Sequence, residues 1–242
     1  MRLLLLTFVF LTSGLTLTAQ EVSYVSKGEA FPASGGNRAL FTFEKGTKVD
    51  GPNQIYFEHF TDGNGKPATE LEATYQSGKL IAVRFDQLQL GETSTAVVKN
   101  GKVTFSHTNS TGKTKQSVAD APADLNATPV IPQLITANWA TLTNGKAVEF
   151  TVPIPARLRS FSVKLTMERT WSEGGRQYSE FKLVPSNVVF RAIADPRYFV
   201  FDNQTKVFCE YRGGTVAKTG QSGKWKDFSS RIAYQPAEAR KR

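Results

Sequence analysis

Cysteine is nearly absent: Cys209 is the only one in 242 residues. No internal disulfide can form, so the fold must be held by its core. Histidine is almost as scarce, with His59 and His107 alone. Neither has metal-ligand spacing around it, and paired-cysteine patterns are missing, which excludes a recognisable zinc site. Helical periodicity occurs in one stretch only, and period-two alternation is common. Long apolar runs are missing too. The longest, Leu3 to Leu11, falls short of the ~20 residues that span a bilayer. There is no repeat of fixed period and no low-complexity tract.

What is present begins with an export signal. Met1-Arg2 is a short basic start, Leu3–Leu11 an apolar core, and Leu17-Thr18-Ala19 a small-residue cleavage site. This is the pattern of a secretory signal peptide over residues 1–19, cut after Ala19. A membrane anchor would need a longer run, and no cysteine near the cut could accept a lipid. The expectation is a periplasmic or secreted protein, soluble and without a transmembrane segment after cleavage. Roughly 220 residues remain, enough for one large all-β domain or two small ones. The proline-punctuated link Ala121–Pro132 is a candidate boundary. Few of the short strands on either side could bury a core alone, so 20–236 is expected to be a single β-rich domain. Residues 237–242 read as a frayed basic tail.

The formal charge is +9, or +8 once Arg2 leaves with the signal. A basic face can meet anionic lipid, cell-wall polymer or nucleic acid. Here the lysines and arginines are scattered, apart from Arg240-Lys241-Arg242, and scattered charge reads as solvated outer strand faces.

The chain is organised around Ala121 to Trp171. Pro132 suits a first helical position. Leu134, Ile135, Trp139 and Leu142 make an apolar stripe, broken by Asn138, and Asn144-Gly145 supplies a left-handed stop. The spacing predicts a helix over 132–143, anchored by Trp139. Strands 146–153 and 160–171 follow. Upstream, Gln54–Phe60 is apolar on both faces. Leu71–Tyr75 and Lys79–Phe85 form a predicted hairpin across Ser77-Gly78, with Ile81, Val83 and Phe85 on one side and Leu80, Ala82 and Arg84 on the other. Thr93–Val98 and Lys102–His107 form the clearest hairpin, since Asn100-Gly101 tolerates the positive φ of a type I′ turn. A strand follows Gly112-Lys113. Downstream, Glu173-Gly174-Gly175 reads as a hairpin loop, Val188–Ile193 as either strand or helical turn, and Arg197–Asp202 and Lys206–Tyr211 as another hairpin. Gly213-Gly214 and Gly220–Gly223 read as flexible breaks, and Lys224–Tyr234 as a last edge strand. The fold class is therefore mainly β: a large curved antiparallel sheet, or half-barrel, with one short helix packed across it.

Signatures of catalysis fail one by one. Asp62-Gly-Asn-Gly-Lys-Pro67 begins like a calcium loop, but Lys66 stands where an oxygen ligand belongs and Pro67 where glycine is needed. Gly112-Lys113-Thr114 lacks the earlier glycine of a phosphate loop, whose place His107 takes. Gly220-Gln-Ser-Gly223 lacks nucleophile-elbow spacing. Cys209 with either histidine could pair as nucleophile and base, yet a cysteine between Phe208 and Glu210 on a strand is more often a small core residue. Glu70 and Glu72 share a strand face and read as solvent-exposed. No catalytic residue, metal or cofactor is assigned. The aromatics, 17 Phe, 7 Tyr and 3 Trp, could stack on nucleic acid. Export argues against that partner, and core or cavity lining accounts for them.

Trp139, Leu142, Gly145, Val148, Phe150, Val152-Pro153, Arg157-Leu158 and Phe161, with Asp202, Tyr211 and Gly213 in a closing hairpin, resemble an uncharacterised family of exported bacterial proteins with a β-rich half-barrel. The resemblance spans about Tyr75 to Gly213. In outline that family is similar to periplasmic lipoprotein carriers, with an open curved sheet and a helix as lid. It implies an apolar or lipid-like ligand and transfers no catalytic residue.

The expected function is a non-enzymatic binding protein that holds an apolar or lipid-like ligand in the cell envelope. Trp139, Phe150, Val152, Phe161, Val163 and Leu165 are the expected interior residues. Arg157 and Arg159 are expected at a rim, facing an anionic headgroup, against the plainer reading of a solvated loop. The alternative is a structural or assembly partner, binding an envelope protein or an anionic envelope surface through basic residues and sheet edges. A hydrolase with an unrecognised site is the third reading.

Overall fold

The structure is a computed structural model that describes residues 21–192, 194–220 and 224–234. The predicted signal peptide and basic tail lie outside the described residues. The first half of the chain is a run of eight strands: β1 (Glu21–Pro32), β2 (Phe41–Asp50), β3 (Asn53–Asp62), β4 (Pro67–Gln76), β5 (Lys79–Gln87), β6 (Glu92–Lys99), β7 (Lys102–Thr108) and β8 (Thr114–Asp120). A link follows, with a 3-10 turn (Thr128–Val130), α1 (Ile131–Ala137) and α2 (Trp139–Thr143). The second half is β9 (Val148–Ile154), a 3-10 turn (Pro155–Arg157), β10 (Arg159–Glu173), β11 (Arg176–Pro185), α3 (Val188–Arg191), β12 (Arg197–Asp202), β13 (Phe208–Thr219) and β14 (Lys226–Tyr234).

All fourteen strands join one antiparallel sheet in the order β8-β7-β6-β5-β4-β3-β2-β1-β14-β13-β12-β11-β10-β9. Each half is an up-and-down meander, and the two are joined by pairing of β1 with β14 (Ala30 opposite Ile232). The tight turns behave as their residues dictate. Asn100-Gly101 take φ of 51° and 71°, and Ser77-Gly78 take 50° and 75°, the left-handed pairs of type I′ hairpins. The expected curved sheet with a helical segment across it is therefore what forms, and the sheet is not closed.

Four local expectations need correction. The helix begins at Ile131 and breaks at Asn138 (φ −107°), because the Asn138 side chain donates to the Leu134 carbonyl at 2.9 Å and competes with the helical ladder. The final strand β14 is not an edge. It sits between β1 and β13, and the edges are β8 and β9. Gly213-Gly214 is no break but lies inside β13, at the start of a bulge that runs to Lys218. Leu80 lies with Val83 in the core rather than opposite it. A bulge beside Tyr75 inserts one residue into β5, and that reverses the face of everything before it.

The sheet curls around the link. Ile131, Ile135 and Leu142 pack on Phe150, Leu165, Phe181, Phe199 and Phe201 of the second half. Ala127 and Val130 pack on Leu71, Val83 and Phe105 of the first. A third cluster (Phe41, Phe43, Phe60, Phe228, Ile232) lines the seam between the halves. The link is held by polar anchors as well. The Ala127 amide donates to the Tyr75 hydroxyl at 2.9 Å. The buried Lys45 ammonium pairs with Glu58 at 3.3 Å and donates to the Pro129 carbonyl at 3.4 Å. Next to the edge strand β9, Leu125 forms a parallel bridge with Thr151, and Asn126 donates to the Thr151 carbonyl at 2.8 Å. Across the gap, Ser117 of β8 donates to the Leu158 carbonyl.

One clasp spans the curl. Gln89, in the β5–β6 turn, donates through Nε2 to the Lys218 carbonyl at 2.8 Å and accepts from the Lys218 amide at 2.8 Å. Gln87 donates to the Val216 carbonyl at 2.8 Å. The Gln89 amide thus replaces a strand neighbour for the β13 bulge. Gln89→Ala should lower unfolding free energy by about 1–3 kcal/mol, because Lys218 keeps two half-buried backbone groups without their partners; denaturant titration reads it directly.

Burial pushes the Tyr75 hydroxyl up from 10.0 to about 12, against the lowering effect of the Ala127 amide. A raised folded-state value favours the neutral form. Its stabilising contribution is complete below pH 10.0 and disappears as pH rises through about 12. Alkaline unfolding curves should therefore lose steepness over that window in Tyr75→Phe, and identical curves for the two proteins would count against Tyr75 as an anchor.

Candidate functional site

The strand registers fix which end of the curled sheet stays open. On the inner faces Val152 stands opposite Phe161, Phe150 opposite Val163, Leu165 opposite Leu183 and Leu183 opposite Arg197. One step further along, Met167, Phe181 and Phe199 form the next inner row. The helices cover that second row. Trp139 meets Phe181 edge-on at 5.1 Å and Phe201 at 5.9 Å. The helices also pack on Phe150 and Leu165 of the first row, and an apolar-walled cavity remains beside Val152, Phe161, Val163 and Leu183, towards Pro185 and Arg197.

Three cavities meet there. The first, about 290 Å³, is lined by Val152, Ile154, Phe161, Val163, Leu183 and Phe190. The second, about 390 Å³, lies against the first half, between Leu71, Val83, Phe85 and Leu90 and the turn Pro153–Arg157. The third, about 60 Å³, sits at the seam beside Phe43, Lys45, Glu58 and Tyr211. Thr128 and Arg197 line all three, so the first 3-10 turn and one arginine stand where the cavities join. A separate polar groove of about 430 Å³ runs along β1–β4 beside the Lys27–Glu44 pair, His59 and Glu70.

Arg197 is the electrostatic centre of the cleft. It is half-buried, and its guanidinium makes no hydrogen bond or ion pair among the described residues. Its backbone and stem pack against Gly213, where a Cβ would come within 3.1 Å of the Arg197 Cα and 3.2 Å of its Cγ. Gly213 also holds φ of +141°, which favours glycine. Arg157, exposed on the cavity wall, likewise has no ion pair among the described residues. Lys218 is neutralised by Asp227 at 2.6 Å. The carboxylates lining the two larger cavities, Glu92 and Asp195, stand one in each.

The eight residues singled out from the sequence separate into three groups. Val152, Phe161 and Val163 line the 290 Å³ cavity, and Arg157 lines the 390 Å³ one. Phe150 and Leu165 are packed core, and Trp139 packs against the same cluster. Arg159 is exposed, its guanidinium stacked 4.4 Å from the Phe161 ring and 5.4 Å from Phe190. Sequence reasoning missed Arg197, Thr128 and Phe190. Arg197 carried one usable signal: it alternates in phase with Phe199 and Phe201, a charge in an otherwise apolar inward row.

Chemistry by side chains is sparse. Ser94 and His107 lie opposite each other on β6 and β7, with Ser94 Oγ 2.9 Å from His107 Nδ1, on the wall of the larger cavity. No orienting carboxylate contacts His107 among the described residues, which leaves the pair without the third member of a triad. Burial pushes the Cys209 thiol up, the direction opposite to an activated nucleophile. No group of three His, Cys, Asp or Glu side chains able to hold a metal occurs among the described residues, and no helix there is long and apolar enough to cross a membrane.

Comparison with known proteins adds little. No family profile matches the chain, and no curated protein matches it either. Among solved structures, a porin-like protein from Bacteroides uniformis aligns over 90% of this chain and 96% of its own, at 8% identity and a TM-score of 0.24. A likeness at that level joins two β-rich chains and carries no argument about this one.

The division between core and cleft makes a contrast that can be measured. Leu165→Ala should cost about 2–5 kcal/mol of stability, as for other fully buried leucines. Arg197→Gln should change it by less than about 0.5 kcal/mol, because the guanidinium holds nothing together. Equal losses for the two, in parallel denaturation curves, would mean that Arg197 is structural.

Proposed function

We propose that this is a non-enzymatic binding protein that holds an apolar or lipid-like ligand in its half-barrel and works in the cell envelope. The observation that carries the reading is the half-buried Arg197, without an ion pair among the described residues, at the junction of two apolar-walled cavities. An arginine kept from bulk water without an acidic partner is stabilised when an anion arrives. The walls supply hydrophobic burial for a chain. Together they suit an amphiphile with one anionic end, its tail against Val152, Phe161 and Val163 and its head at Arg197, with Arg157 at the rim. The resemblance to exported half-barrel proteins, and the outline they share with lipoprotein carriers, points to the same ligand class by analogy only.

The purified protein, weighed by native mass spectrometry before and after organic extraction, should carry an extractable apolar mass. A fluorescent fatty acid should bind saturably, and Arg197→Gln should weaken it by about tenfold or more, as expected for loss of a charged hydrogen bond. The matching fatty alcohol should bind both proteins alike. Absence of any saturable uptake would end this reading.

A second reading keeps the sheet edge as its observation. The side chains of edge strand β8 are almost all exposed, Val118 at 63%, and such an edge can accept another strand. An assembly partner acting there and through basic surface would bind envelope fractions in a salt-sensitive way and carry no lipid.

A further inference from the structure

The lip of the 290 Å³ cavity is built unlike the rest of the surface. Val188 and Val189 are 73% and 72% exposed, the highest values for large apolar side chains among the described residues. They are adjacent, on the single turn α3, and the next residue, Phe190, lines the cavity beneath them. Two neighbouring valines that point at water, over the mouth of an apolar cavity, lose hydration cost only when something apolar covers them.

The turn that carries them is held firmly. Asn187 caps it, its side chain accepting from the Val189 amide at 2.8 Å. Arg191 Nε donates to the Pro185 carbonyl at 3.2 Å and Nη2 to the Ser186 carbonyl at 3.0 Å, so this arginine ties both ends of the loop together. Phe190 packs edge-on against Phe161 at 5.7 Å, and Arg159 lies over both rings. The valines are thus displayed on a braced loop flanked by two exposed arginines, Arg159 and Arg191. The acidic groups nearby are Asp195, on the cavity wall, and Glu149, which accepts from Ser186 at 3.3 Å.

We infer that this lip docks on an anionic lipid surface, with Val188 and Val189 entering the headgroup–acyl boundary and Arg159 and Arg191 meeting lipid phosphates. Charge complementarity selects the partner. Arginines beside a small apolar wedge match a membrane interface, where apolar burial and attraction to anionic lipid add. A folded protein partner would instead need a complementary interface of about 1,000 Å² or more, far beyond two valines and two arginines. The inference rests on the ligand-binding reading for its purpose, since it sets the cavity mouth against the surface that holds amphiphiles. The contact itself needs no ligand.

Vesicle flotation of the purified protein tests it. Vesicles of equal parts phosphatidylglycerol and phosphatidylcholine should carry the protein, and pure phosphatidylcholine vesicles should carry much less. The double variant Val188→Asp/Val189→Asp should bind the anionic vesicles about tenfold more weakly or worse, the order expected when two valines are withdrawn from hydrocarbon. Its melting temperature and its fatty-acid uptake in vesicle-free buffer should match the parent's. A parent that fails to float, floats equally on both vesicles, or floats as well with the double substitution overturns the docking surface. A parent that floats on anionic vesicles but takes up no fatty acid would sink the cavity reading alone.

Discussion

The curl of the sheet depends on hydrogen bonds that run across it rather than along it. Gln89 gives its side-chain amide to both backbone groups of Lys218, and Gln87 adds a third bond at Val216. Strand twist bends a sheet this wide, but twist alone sets no fixed separation between strands that are not neighbours. The clasp does. It brings the β5–β6 turn against the β13 bulge, and that contact forms the wall shared by the central and larger cavities, where both Thr215 and Val216 appear.

The interior then divides according to what the link can reach. Tyr75 and Lys45 hold it at Ala127 and Pro129, which sets the first 3-10 turn at the centre of the curl. From there the helices pack on Leu165, Phe181, Phe199 and Phe201, and the cavity lined by Val152 and Phe161 lies beside that packed part. Lys45 and Arg197, both on cavity walls, therefore have different roles. Lys45 is satisfied by Glu58 and a carbonyl and works as a fastener. Arg197 has no such partner among the described residues, and its place at the meeting of the cavities is what makes the open end chemically distinct from the packed one.

The local grammar was readable from the residues, and long-range pairing was not. Asn100-Gly101 and Ser77-Gly78 announced their hairpins because positive φ is written into those residue types. The strands β6 and β7 followed from the turn between them, and β12 from its own hairpin. Single-residue effects defeated the reading elsewhere. The bulge beside Tyr75 reversed Leu80, and the Asn138 side chain broke a helix that looked continuous. β14 reads as an edge in the sequence because nothing local says that residues 230–234 pair with residues 28–32. The same limit hid the cleft. Val152, Phe161 and Val163 were legible as inward residues, but which inward residues a link leaves uncovered depends on its anchoring points, and those are tertiary.

The seam between β1 and β14 also governs the order in which the molecule can be made. Each meander can zip up hairpin by hairpin as its residues become available. The first strand cannot gain its second neighbour until the last strand has been synthesised, so the central ladder is the final one to close. Loop closure across nearly the whole chain makes that step slow relative to the hairpins. Until then two half-sheets each expose an unpaired edge at β1 and β14, and the aromatic cluster at their seam (Phe41 and Phe43 of β2, Phe228 of β14) is open to water. A chaperone that covers these edges would act in this interval.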